Sequence, residues 1–147
     1  DLGTEADKKE AVKYFKKSIK LGNAKAMYNY AYMLKKGNGV SVNYEKAIKY
    51  YKKAIDKGNS MAMNNYAWML EKGEGTPVDY EEAINYYKKA IDKKNTCAMY
   101  NYACMLENGK GVTANINEAI EYYKMSADKG NAGAKKKLQE IFENTFI

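Results

Sequence analysis

Residues 24–59 read AKAMYNYAYMLKKGNGVSVNYEKAIKYYKKAIDKGN, and residues 60–95 read SMAMNNYAWMLEKGEGTPVDYEEAINYYKKAIDKKN. The second stretch repeats the first with its landmarks in register. Asn29-Tyr30-Ala31 returns as Asn65-Tyr66-Ala67 and again as Asn101-Tyr102-Ala103. Gly22-Asn23 returns as Gly58-Asn59, Lys94-Asn95 and Gly130-Asn131. A fixed period of 36 residues falls in the range of about 20–50 that marks a repeat array, whose units bury their apolar faces against neighbours rather than in one central core. The 147 residues therefore measure repeat number, about four units, rather than domain count.

Each unit holds two helical patterns. Wound at 3.6 residues per turn, Ala26, Met27, Tyr30, Ala31, Met33 and Leu34 share one side of a helix over about 24–36. Lys25, Tyr28, Asn29, Tyr32, Lys35 and Lys36 take the opposite side. This is helix A. Tyr44, Ala47, Ile48, Tyr51, Ala54 and Ile55 share a face of helix B, over about 44–57, with Glu45, Lys49, Lys52, Lys53 and Asp56 opposite. Asn43, Asp79 and Asn115 stand where an N-cap accepts the first free amides, and Gly22, Gly58 and Gly130 where a left-handed residue closes a helix. Lys94 breaks the glycine pattern at a small expected cost.

Between A and B lie Gly37-Asn38-Gly39-Val40, Gly73-Glu74-Gly75-Thr76 and Gly109-Lys110-Gly111-Val112. A nucleotide-binding glycine loop follows a strand and ends in a third glycine or in Gly-Lys-Ser/Thr, and none of these is present. The glycines read as helix terminators that allow positive φ in the loop.

At these residues the chain resembles the Sel-one-like repeat (SLR), a relative of the tetratricopeptide repeat. The resemblance rests on Ala26, Tyr30-Ala31, Leu34, the Gly37-x-Gly39-Val40 loop, Asn43, Lys46-Ala47, Tyr50-Tyr51 and Lys53-Ala54, recurring together at 36 residues. It implies an all-α fold, a right-handed superhelical α-solenoid of antiparallel helix pairs with about four SLR units. The expected organisation is one array over 1–147: a partial unit at 1–23 with helix B at about 6–21, repeats at 24–59, 60–95 and 96–131, and a closing helix in 132–147. Gly3-Thr4 aligns with Gly75-Thr76, so the chain is expected to begin partway through a repeat of a longer protein. The resemblance further implies a scaffold or adaptor that binds a partner protein or peptide in a concave groove lined by the A helices. One branch of the family is cysteine-rich, with a disulfide joining the two helices of each repeat. Here Cys97 and Cys104 both fall on one helix A, about 10 Å apart at 1.5 Å per residue and too far to bridge.

Composition narrows the function classes. All 25 basic residues are lysine and the net charge is +7. Specific nucleic-acid recognition leans on the guanidinium fork, which is missing, so no specific nucleic-acid partner is expected. No apolar run approaches the roughly 20 residues that span a bilayer, so no membrane insertion is expected in this segment. Nothing requires an oxidising compartment, which favours the cytoplasm slightly. With no histidine, a base poised near neutrality or a zinc site has few candidates. The glutamates Glu81, Glu82, Glu118 and Glu121 lie on the polar side of helix B, where ion pairing is the ordinary role. The expectation is no enzyme, no cofactor and no metal.

The candidate binding residues lie on the outward arc of helix A: Tyr28, Asn29, Tyr32, Asn65, Trp68, Tyr100, Asn101 and Cys104, with Asn64 beside them. Tyrosine and tryptophan are types enriched at binding hot spots. Positions 25, 28, 32 and 35 vary between repeats while the frame does not, as a shared scaffold with a tailored surface would. The competing reading packs these aromatics between neighbouring A helices. Asn29, Asn65 and Asn101 are invariant among the repeats, and by resemblance to the tetratricopeptide clamp each would hold a peptide backbone, its amide donating and accepting. The alternative is a bond to the neighbouring repeat's loop. Lys25, Lys35, Lys36 and Lys72 would favour an acidic partner or a C-terminal carboxylate. Two other roles stay open: a structural spacer between flanking domains, and nonspecific polyanion binding through the lysine-rich faces.

Overall fold

A computed structural model describes residues 3–145. Eight helices follow one another: α1 (Glu5–Lys20), α2 (Ala24–Lys36), α3 (Tyr44–Asp56), α4 (Ser60–Lys72), α5 (Tyr80–Asp92), α6 (Thr96–Asn108), α7 (Ile116–Asp128) and α8 (Ala132–Thr145). No strand occurs among the described residues. The even-numbered helices are A-type and the odd-numbered ones B-type. Asp1, Leu2, Phe146 and Ile147, which the expected organisation places in the first partial unit and the closing segment, lie outside the described residues.

The turns explain the punctuation of the repeat. The backbone of Gly58 has φ 77°, its amide donates to Ile55 at 2.7 Å, and the Asn59 amide reaches back to Ala54 at 3.0 Å. This closes α3 with the left-handed turn that glycine adopts most easily. Asn59 then caps the next helix, its Oδ1 accepting from the Ala62 amide at 2.9 Å. Asn23, Asn95 and Asn131 do the same for α2, α6 and α8. The Gly-Asn pair is thus a helix end and a helix start in adjacent residues. Asn43, Asp79 and Asn115 cap the B helices as expected. Lys94 holds φ 61° in place of the glycine.

The loop glycines divide their work. Gly37, Gly73 and Gly109 end the A helices in the left-handed region. The second glycine is there for space. A Cβ on Gly75 would sit 2.3 Å from the Cβ of Tyr44, and one on Gly111 would sit 2.4 Å from that of Tyr80. Each loop therefore rests on the first turn of the preceding repeat's B helix. Tyr44 is nonetheless 37% exposed, although the helical pattern assigns it to the buried face.

The core runs the length of the array without a centre. In each complete unit the B helix buries an Ala-x3-Tyr-x2-Ala/Ser row, and Ala47, Tyr51 and Ala54 have no exposed surface. The alanines let the backbones approach, and the tyrosine fills the space between A and B. From the A helix, Met27, Tyr30, Ala31, Met33 and Leu34 are buried against it. Tyr30 meets Tyr50 edge to face at 4.9 Å, a contact repeated by Tyr66 with Tyr86 and Tyr102 with Tyr122, both at 5.0 Å. Lys52 and Lys88 of the B helices lie over the A-helix tyrosines of the following repeat, at 5.1 and 5.3 Å from the ring centroids of Tyr66 and Tyr102.

Candidate functional site

The A helices touch one another as well as their B helices and together line one face of the array, its A-helix or inner face. Asn101 Nδ2 donates to Asn64 Oδ1 at 2.9 Å, from one A helix to the previous one. Asn64 donates to Asn65 at 3.1 Å, and Asn65 Nδ2 donates to the Tyr51 hydroxyl at 3.3 Å. Four side chains from three helices form a continuous polar rail. Asn95 extends the contact at the helix starts, its Nδ2 standing 3.4 Å from Ser60 Oγ. The Asn101 amide thereby bonds the preceding A helix and the Asn65 amide the Tyr51 hydroxyl of the preceding B helix, neither of them a loop of the neighbouring repeat. Asn29 differs from them and lines a cavity of about 230 Å³ with Tyr14, Phe15, Ser18 and Lys25.

The aromatic candidates divide in the same way. Tyr28 is half-buried, with its ring 6.1 Å from that of Tyr51, and Tyr100 lies 5.7 Å from Tyr123. Burial pushes the Tyr28 hydroxyl above its ordinary pKa, against a hydrogen bond with Asn65 that opposes the shift. Trp68 is half-buried under Lys35, whose Nζ stands 3.8 Å from the ring centroid and 3.0 Å from Glu74 Oε2. Lys35, on the outward arc of α2 in the helical pattern, is thus drawn in as a pillar between repeats. Tyr32 is the open member, 39% exposed. Cys104 is half-buried beside the Tyr123 hydroxyl, 3.2 Å from its Sγ, and both cysteines are free thiols.

Helical patterns alone do not reveal a row of buried tyrosine hydroxyls beneath the A helices. The Tyr87 hydroxyl donates to Glu71 at 3.1 Å, and that of Tyr123 donates to Glu107 at 2.5 Å. Tyr51 stands at the equivalent place one repeat earlier. Desolvation raises the pKa of all three well above the usual tyrosine value, reinforced at Tyr87 and Tyr123 by the neighbouring glutamates and opposed at Tyr51 by Asn65, so they remain neutral at any physiological pH. Glu71 also accepts from Lys72 at 2.8 Å and Lys110 at 3.2 Å. Burial pushes its carboxyl up, but these lysines outweigh that and hold it below the ordinary value. The Tyr-to-Glu spacing of 16 residues, from Glu71 to Tyr87 and from Glu107 to Tyr123, was the available signal.

The inner face thus has a fixed frame of buried tyrosine, asparagine and glutamate. Its exposed members are Lys25, Tyr32, Lys36, Met61, Lys72 and Cys97. No helix among the described residues is long and apolar enough to cross a membrane.

Comparison with known proteins agrees with this architecture. The family model of the Sel1 repeat matches residues 1–23, 24–59, 60–95 and 98–131. No curated protein sequence matches the chain. Among solved structures, a Sel1 repeat protein from Oxalobacter formigenes superposes with a TM-score of 0.84 at 32% identity, over 90% of this chain and 54% of its own. A protective antigen of uropathogenic Escherichia coli strains, which displays an SLR fold, gives 0.87 at 26% identity, over 93% of this chain and 30% of its own. Cysteine-rich protein B of Helicobacter pylori gives 0.70 at 22% identity over 94% of this chain and its whole length, a likeness of fold. The chain therefore spans about half and about a third of the first two proteins. With its four matched repeats and its continuous A–B helix array, the chain belongs to the Sel1 repeat family.

Proposed function

We propose that this array is a scaffold that holds a partner protein or peptide along the inner face of its A helices. Proteins of the Sel1 repeat family generally serve as non-catalytic scaffolds that bind protein partners. The observation that carries the finer reading is the division of labour on the inner face. Asn64 and Asn101 join neighbouring A helices, the three B-helix tyrosines bond Asn65, Glu71 and Glu107 of the A helices, and on the exposed arc Lys25 becomes Met61 and then Cys97 from repeat to repeat. Tyr32, Met61, Lys72 and Cys97 are then the contacts, a mixture of aromatic, soft apolar and cationic groups suited to an extended acidic segment with apolar anchors. Tyr28, Trp68, Tyr100 and Cys104 support these contacts from below, and the asparagine rail retains lone pairs and N–H groups able to meet a peptide backbone.

The test is capture from lysate of the source cell with the chain and with a Tyr32→Ala, Met61→Ala, Lys72→Ala, Cys97→Ser variant. These residues are at least part-exposed, so the variant keeps the helical circular-dichroism signal and the melting profile. A defined protein retained by the first and lost by the second is the expected result. Equal capture by both defeats the inner-face reading.

A further inference from the structure

Two Asn-Gly dipeptides occur in the chain, Asn38-Gly39 and Asn108-Gly109, and the fold sets them in opposite backbone environments. Asn108 is the last residue of α6. The Gly109 amide donates to the Met105 carbonyl as the helix cap, and Asn108 Nδ2 donates to the Cys104 carbonyl at 2.7 Å. Asn38 stands in the loop between α2 and α3, outside any helix. Its own amide donates to Met33 at 3.1 Å, but the amide of Gly39 donates to nothing among the described residues. That freedom belongs to the loop itself, because the equivalent amides of Gly75 and Gly111 in the following repeats are equally unengaged. Asn38 and Gly39 are both part-exposed, and a cavity of about 350 Å³ opens beside the loop, lined by Glu5 and Lys9 of α1 and by Gly39 and Val40. Water therefore reaches the dipeptide.

An asparagine followed by glycine carries its own nucleophile. The main-chain nitrogen of the glycine attacks the side-chain carbonyl carbon, the new C–N bond closes a succinimide ring, and the C–N bond to the side-chain amide nitrogen breaks with release of ammonia. Water then opens the ring at either carbonyl. The product is aspartate or isoaspartate, in which the main chain runs through the side-chain carbon. No oxidant, reductant or second protein takes part. The step needs a glycine nitrogen that is free of a hydrogen bond, able to turn toward the side chain and unobstructed by a following Cβ. We propose that Asn38-Gly39 is a self-modifying site of this protein, and that the helix end shields the identical dipeptide at Asn108-Gly109. The change has a structural consequence. Gly39 is seated on α1, where even a Cβ would lie 2.8 Å from the carbonyl carbon of Lys8. Isoaspartate lengthens the main chain by one methylene immediately before that contact, so the loop lifts away from α1. The sister loops carry Glu74 and Lys110 at this position and cannot react, which confines the effect to the contact between α1 and the loop after α2.

The test incubates the whole folded chain in mildly alkaline buffer and then cleaves it after lysine, which leaves the two dipeptides in separate peptides, 37–46 and 95–110. Mass spectrometry with fragmentation reads the amide-to-acid change at each asparagine, and an isoaspartyl methyltransferase scores isoaspartate. Conversion at Asn38 is expected to be about tenfold faster or more than at Asn108, whose reaction must first break the hydrogen bonds of Gly109 and of its own side chain. In urea the two rates should converge, and Asn38→Gln should abolish the change in 37–46. Equal rates in the folded chain, or no conversion at Asn38, overturn the proposal. Hydrogen exchange in α1 should quicken in the isoaspartyl chain but not in Asn38→Asp, which adds the charge without the extra methylene. Unchanged exchange in the isoaspartyl chain overturns the proposed effect on packing.

Discussion

Glu71 shows at the scale of one residue how a repeat is tied to its successor. Its carboxylate is shared by the Tyr87 hydroxyl, Lys72 and the loop lysine Lys110 of the next repeat. A carboxyl held below its ordinary value, about 4.3 for glutamate in an unfolded chain, contributes stability that is complete above that value and is lost as pH falls through the folded one. Glu71→Gln should therefore cost about 1–2 kcal/mol at pH 7 and flatten the loss of stability as pH falls below the ordinary glutamate value, as read by urea unfolding across acid pH. One repeat earlier the polarity is reversed. Lys35 takes the place of Glu71 and pairs with Glu74, which takes the place of Lys110. Lys35→Glu alone should destabilise by about 1–2 kcal/mol, and Lys35→Glu with Glu74→Lys should recover more than half of it in a double-mutant cycle. These links were hidden in the sequence because the partners stand 39 residues apart and meet only once the repeat stacks. The same holds for the asparagine rail: the helical pattern gives the face of Asn65 but not its neighbour.

At the scale of the helix and its turns, most of the structure was legible. The apolar stripe of Met27, Tyr30, Ala31 and Leu34 is buried where the 3.6-residue period puts it, and Asn43, Asp79 and Asn115 cap as their type requires. Less legible was why the loop needs a second glycine, since its reason lies in the preceding repeat. Gly75→Ala should destabilise by about 2–4 kcal/mol, because it combines a positive φ with a Cβ driven onto Tyr44, and thermal unfolding would report it. Lys94 gives the converse test. It occupies a left-handed position that its sister repeats fill with glycine, so Lys94→Gly should raise stability by about 0.5–1 kcal/mol. An unchanged or lower melting temperature would contradict that reading of the turn.

Among the described residues each repeat contacts its neighbours, and α1 and α8 pack against helices on one side. Hydrogen exchange should find the amides of α4, α5 and α6 slowest and those of α1 and α8 fastest, with no single cooperative core. The array has a direction in its chemistry too: lysine dominates α1, α2 and α3, and acidic residues outnumber lysines in α5 and α7. The period and helix types gave the solenoid, but they did not reveal how closely the A helices press together. Treated as isolated cylinders, α2, α4 and α6 each present an open outward arc. Contact between neighbouring A helices closes much of that arc, turns Tyr28, Trp68 and Tyr100 into packing, and leaves Lys25, Tyr32, Lys36, Met61, Lys72 and Cys97 exposed. The most direct measurement of the central claim is site-specific photocrosslinking in the source cell, with a benzophenone side chain at position 32 on the inner face and, separately, at the exposed position 89 on α5. The account predicts a discrete crosslinked partner from position 32 and none of that mass from position 89. The same partner from both positions, or from position 89 alone, would contradict it.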